Sequence, residues 1–120
     1  MSFLPIYRTL NADAAVKAIL GTDLRVYEDL VPLDTPTPYA VWQDIGGPAE
    51  NNLDCPAEVD HVMYQVMVYD TNQKRAYEAR EAIRKALETK SYILNPRISD
   101  FEKATKLYVR GFDANWFLDR

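Results

Sequence analysis

The stretch from Glu58 to Tyr69 alternates without a break, and both of its faces are apolar. Val62, Tyr64, Val66 and Val68 fall on one side, while His61, Met63, Gln65, Met67 and Tyr69 fall on the other. Successive strand side chains point to opposite faces, so this period-2 pattern predicts a long β-strand and excludes an amphipathic helix. A strand that is apolar on both sides needs a layer over each, which limits the architectures open to the chain.

The rest of the sequence supplies partners for that strand. Tyr39 to Ile45 alternates on a β-rich composition and predicts a second strand. Together with 58–69 it makes a hairpin whose long connecting arm, about 46–57, is polar and acidic. Before it, EDLVPLDTPTP carries Pro32, Pro36 and Pro38, which exclude a helix interior or a central strand, and Leu24 to Tyr27 reads as a short strand. The N-terminal segment places Phe3, Ile6, Leu10, Ala15 and Ile19 on one helical stripe. Pro5 suits its first turn, Asn11 can cap a fresh start, and Gly21 is a stop. After the cap-rich Asp70-Thr71-Asn72, a helix is expected through about Thr89, with Ala76, Ala79, Ile83, Ala86 and Leu87 inward. Four-residue pairs Lys74–Glu78, Glu81–Lys85 and Arg84–Glu88 are expected on its outer faces. Ser91 to Ile98 is ambiguous, and Thr105 to Phe117 alternates as a strand, with Tyr108, Phe112 and Trp116 on one face and Leu107, Val109 and Phe117 on the other. The order predicts an α+β fold: one domain, residues 1–120, with an antiparallel or mixed sheet of about four strands and two main helices packed on one face.

That arrangement leaves a sheet face uncovered. Both 58–69 and 105–117 are apolar or aromatic on their second face, and the chain has no further elements to lay over it. Isolated aromatics at a surface are one explanation. Cover by another subunit is the one that accounts for both strands at once.

Charge is split along the chain. Residues 26–73 hold nine carboxylates and no Lys or Arg, whereas residues 74–120 hold eleven basic against seven acidic residues. The basic helix is diluted by Glu78, Glu81 and Glu88, and the acidic middle would repel phosphate, so nucleic-acid binding is disfavoured. No run approaches a membrane span, and the first residues lack the pattern of a secretory signal, so a soluble protein made in the cytoplasm is expected.

The residues that chemistry would need are scarce. Cys55 is the single cysteine and His61 the single histidine, so no disulfide or zinc set is available within the sequence. Gly46-Gly47 has no third glycine and no helix after it, so it is not a phosphate loop. Asp60 and His61 are adjacent on a strand and point to opposite faces, which separates them as a dyad. No catalytic, cofactor-binding or metal-binding residues are therefore assigned. The alternative is a small ligand-binding or hydrolytic α+β domain using the loops at 28–38 and 46–57.

Several stretches together resemble one family, the tail-completion (tail-terminator) proteins of long-tailed phages and prophages. LPIYRTLNADAAVKAILG is similar to its first helix, and RVY, then prolines, then TPYAVWQDIGG to its first two strands and turn. VMYQVMVYDTNQKRAYEAREAIRKALE resembles its long strand running into the second helix, and LYVRGFDANWFLDR its last strand, with Trp116-Phe117 as the near-terminal aromatic pair. The resemblance implies a structural virion protein without enzymatic activity or cofactor. It would assemble as a ring, expected to be a hexamer, at the head-proximal end of the tail. Its partners would be other copies, the tail-tube protein and a head-completion or connector protein, with no membrane partner. It would be made in the host bacterial cytoplasm and end in the virion tail.

The charge split gives such a ring a means of fixing register. Heterologous contacts join one patch to a different patch on the next copy. The acidic residues Glu50, Asp54, Glu58 and Asp60 on one copy are thus expected to meet Arg75, Arg80, Arg84 or Lys85 on a neighbour.

Overall fold

The structure, a computed structural model, describes residues 5–45 and 59–119, with backbone alone at 59–61 and 117–119. The chain opens with two short helices, α1 (Ile6–Asn11) and α2 (Ala14–Leu20). The break falls where the sequence suggests, but its cap is Asp13 rather than Asn11. Asp13 has extended backbone, and its carboxylate accepts the N–H groups of Ala15 and Val16 at 2.9 and 3.1 Å. Gly21 ends α2 at φ +94°, a conformation that other residues rarely adopt.

Strand β1 (Val26–Glu28) runs parallel to β2 (Tyr39–Asp44), and β2 is antiparallel to the long β3 (Val59–Asp70). Helix α3 (Gln73–Leu87) follows, its first turn capped by Asn72, whose side chain accepts the Arg75 N–H at 3.0 Å. The ambiguous segment after it is extended: β4 (Ser91–Glu102) forms a hairpin with β5 (Leu107–Asp119), and β5 pairs with β3 along its whole length. Among the described residues the sheet is mixed and open, with five strands in the order β1-β2-β3-β5-β4, one more than the pattern predicts. β4 escapes the period-2 reading because its register slips twice, around Asn95 and Pro96, which scrambles the alternation.

All three helices lie on one face, and the core sits beneath them. Ile6, Leu10, Val16 and Leu20 from α1 and α2, with Ile83 and Leu87 from α3, bury against Tyr64, Val66, Val68, Phe112, Ala114 and Trp116 of β3 and β5. Ala76 and Ala79 are fully buried, and their small side chains let α3 approach closely. Each large side chain removed from water here contributes roughly 1.5–3 kcal/mol. Tyr64 keeps its polar end satisfied by sharing a 2.6 Å hydrogen bond with the Ser91 hydroxyl on β4. Burial pushes its phenol pKa up to about 12, the Ser91 bond acting the other way.

Candidate assembly surfaces

The second sheet face is closed only in part: Leu107 and Val109 of β5, expected to be uncovered on it, are buried, whereas its β2 and β3 side chains are not. Tyr39 and Val41 of β2 and Met63, Gln65, Met67 and Tyr69 of β3 point away from the helices and are half-buried, and no described element covers them. Tyr39 and Tyr69 are a cross-strand pair whose rings stack at 5.3 Å. Gln65 donates to the Asp113 carboxylate across β3 and β5 at 3.0 Å. Opposite Met67 stands Gly111, where a Cβ would collide with the Val66 carbonyl and the Met67 side chain, so glycine lets β3 and β5 close here. A shallow concavity of about 150 Å³ on this face is lined by Asp29, Val41, Gln43, Gln65, Met67 and Tyr69.

Of the middle-third carboxylates that the structure describes, Glu28, Asp29 and Asp44 lie together at the β1–β2 end. Burial first, then the neighbouring carboxylates of Asp29 and Asp44, raises the Glu28 pKa; burial and Asp29 likewise raise that of Asp44. Among the described residues no ion pair joins these carboxylates to a cation.

The cations of α3 are less available than the sequence suggests. Arg75 clasps Asp70, its Nη2 donating at 2.8 Å and its Nε to the other carboxylate oxygen. Arg80 is not a surface residue at all: it is 2% exposed, lies over the Tyr77 ring at 5.0 Å and pairs with Glu81 at 3.2 Å. Its position four residues after Ala76 and three before Ile83 puts it on the buried stripe, a signal that its charge obscured. Arg84 reaches Glu81 and Glu88 at 3.5 Å each. Of the three expected helix pairs, Arg84–Glu88 forms, while Glu81 turns to Arg80 and Arg84 instead of Lys85. Lys85 itself is exposed. Glu50, Asp54 and Glu58 lie outside the described residues, and Asp60 is described only as a backbone position on β3, opposite Leu118.

Asp70 was not singled out by the sequence except as a cap, yet it is a fully buried carboxylate. Burial raises its pKa, but the Arg75 guanidinium and the backbone N–H groups of Asn72 and Thr71 outweigh this and hold it below the ordinary carboxylate value. It fixes the β3–α3 junction.

Among the described residues, the open-face concavity combines one carboxylate with amide, thioether and phenol groups; the side chains of Asp60 and His61 lie outside what the structure describes. Of the two loops in the ligand-binding alternative, 28–38 reaches this concavity through Asp29 alone, and 46–57 lies outside the described residues. Among the described residues no three His, Cys, Asp or Glu side chains converge as metal ligands, and no helix is long and apolar enough to cross a membrane.

The chain is thus an α+β module with one helix-covered sheet face and a second face that is half-buried on β2 and β3. Residues 5–116 match the family described as tail completion protein gp17, and the chain belongs to that family, that of a structural phage tail protein. In three dimensions the chain is similar to one in the virion of a native gene transfer agent particle. The TM-score is 0.71 at 15% identity, over 96% of this chain and 92% of the other, a likeness of fold. No curated protein matches it in sequence.

Proposed function

We propose that this chain is a ring-forming subunit that closes the head-proximal end of a phage-type tail, ends polymerisation of the tail tube and presents the surface on which the head docks. The observation that carries the reading is the open sheet face of a tail-completion family member: apolar and aromatic side chains held half-buried on β2 and β3, with no described element over them. The virion origin of the similar fold supports a place in the particle. The chain acts in this reading as one domain and as a structural component without catalysis or cofactor; its partners are its own copies, the tail-tube protein and a head-completion protein. Contact charges set register: Glu50, Asp54, Glu58 and Asp60 meet a neighbour's cations. Lys85 and Arg75 are the exposed members of the α3 set, and of these Arg75, like the less exposed Arg80 and Arg84, already has a carboxylate partner in its own chain.

Native mass measurement with negative-stain imaging, on the protein alone and with tail tubes, tests this. A closed ring with a central hole is expected, hexameric by mass, seated at one end of the tube and halting its growth. A chain that remains monomeric with tubes present, or tubes that elongate regardless, would refute it. The register idea has its own check: Lys85→Glu is expected to weaken assembly most at low salt, where exposed charges are least screened.

A further inference from the structure

The two lateral edges of the sheet carry opposite charge and the same kind of unburied apolar side chain. At the β1–β2 edge, the proline-bearing loop exposes Leu30 and Leu33, 82% and 91% accessible, beside Glu28, Asp29, Asp34 and Asp44. Arg25, the cation adjoining β1 among the described residues, donates its Nε–H to the Pro38 carbonyl at 2.8 Å. At the opposite edge, β4 exposes Tyr92, Leu94 and Phe101, and its flanks carry Lys90, Arg97, Lys103 and Lys106 against Asp100 and Glu102. Three further strands separate β1 from β4, and among the described residues no ion pair joins the two edges.

Resting on the ring reading above, we propose that the acidic, leucine-bearing β1 edge of one copy seats against the basic, aromatic-bearing β4 edge of a second copy. The occupant of each edge is the other edge of the same chain, a heterologous contact that repeats around a ring. Charge complementarity selects this partner, because an acidic edge against its own kind would place Glu28, Asp29 and Asp44 beside further carboxylates where like charge is already crowded. The contact is made by side chains rather than by a sheet running on from copy to copy. β1 is three residues long, and β4 is interrupted by two register shifts around Pro96, which has no N–H to donate.

The test uses two variants of the full chain. Leu30→Lys with Leu33→Lys disables the β1 edge, and Tyr92→Ser with Leu94→Ser disables the β4 edge without adding a charge that the lysines could pair with. All four positions are exposed, so thermal unfolding close to that of the parent chain checks that the fold persists. Each variant alone is expected to raise the concentration for half-assembly at least about tenfold, read by sedimentation or on tail tubes. Mixed, the two are expected to form a one-to-one dimer and stop there, since one intact contact remains. Rings from either variant, or a mixture with no dimer, would overturn the edge pairing while leaving the ring itself standing. A parent chain that forms no ring even on tubes would overturn both.

Discussion

The two faces of the sheet are built from alternate residues of the same strands, yet on β3 they end in different conditions, whereas on β5 Leu107 and Val109 are buried on the second face too. On β3, Tyr64, Val66 and Val68 are sealed under the helices, while Met63, Gln65, Met67 and Tyr69 between them stay half-wet. A one-residue slip in register would exchange the two sets. The closed face uses β-branched and aromatic side chains against helix alanines, a fit that depends on shape. The open face uses methionine, glutamine and tyrosine, which tolerate both water and an apolar partner. Apolar content on a strand therefore does not by itself mark the core. What marks it is whether the chain supplies something small enough and close enough to cover it.

That difference is broken most sharply at Phe112, fully buried on the closed face of β5 opposite Val66. Phe112→Ala is expected to cost about 3–5 kcal/mol, combining lost transfer energy with the cavity left behind. Urea unfolding measures it as a shift in midpoint at unchanged slope. A loss under about 1 kcal/mol would mean that the helices do not seal this face.

The β3–α3 junction comes next. Arg75→Ala strands a fully buried carboxylate at Asp70, with only backbone N–H groups left to support its charge. The expected cost is about 2–3 kcal/mol at neutral pH. The sign with pH follows from the lowered pKa of Asp70. The stabilisation is fully present above the unfolded carboxylate value near 4 and is lost as pH falls through the lower folded value. Stability curves of Arg75→Ala and the parent chain should therefore converge below about pH 4. A gap that stays constant into acid would assign the effect to packing of the arginine stem rather than to the ion pair.

These same places show what was legible in the sequence. The strand alternation of β3 and β5, the hairpin with β2 and the alanine stripe of α3 follow from periodicity, because a buried face imposes its period on residue type. β4 was ambiguous because bulges near Pro96 break that period. Arg80 was misread as a free cation because composition carries charge but not depth: its burial depends on Tyr77 and Glu81 sharing its helix surface. The pairing of Arg75 with Asp70 crosses the strand–helix junction, where neither a 2.0 nor a 3.6 period applies. The second face was legible as apolar, but a sequence does not say where its cover ends. The segregation of charge was visible too; its division between two sheet edges required the strand order.

The smallest expected effect sharpens the comparison from the open side. Met67 is half-buried, and its side chain lies over Gly111 on the neighbouring strand. Met67→Gln keeps the length and most of the stem, so the isolated chain should lose under about 1 kcal/mol, well short of the Phe112→Ala loss. Urea midpoints of the two variants, measured on dilute protein so that assembly adds nothing, give the ratio directly. A Met67→Gln loss approaching 3 kcal/mol would show that this face is closed by the chain itself, and the case for a surface kept open for other tail components would fail with it.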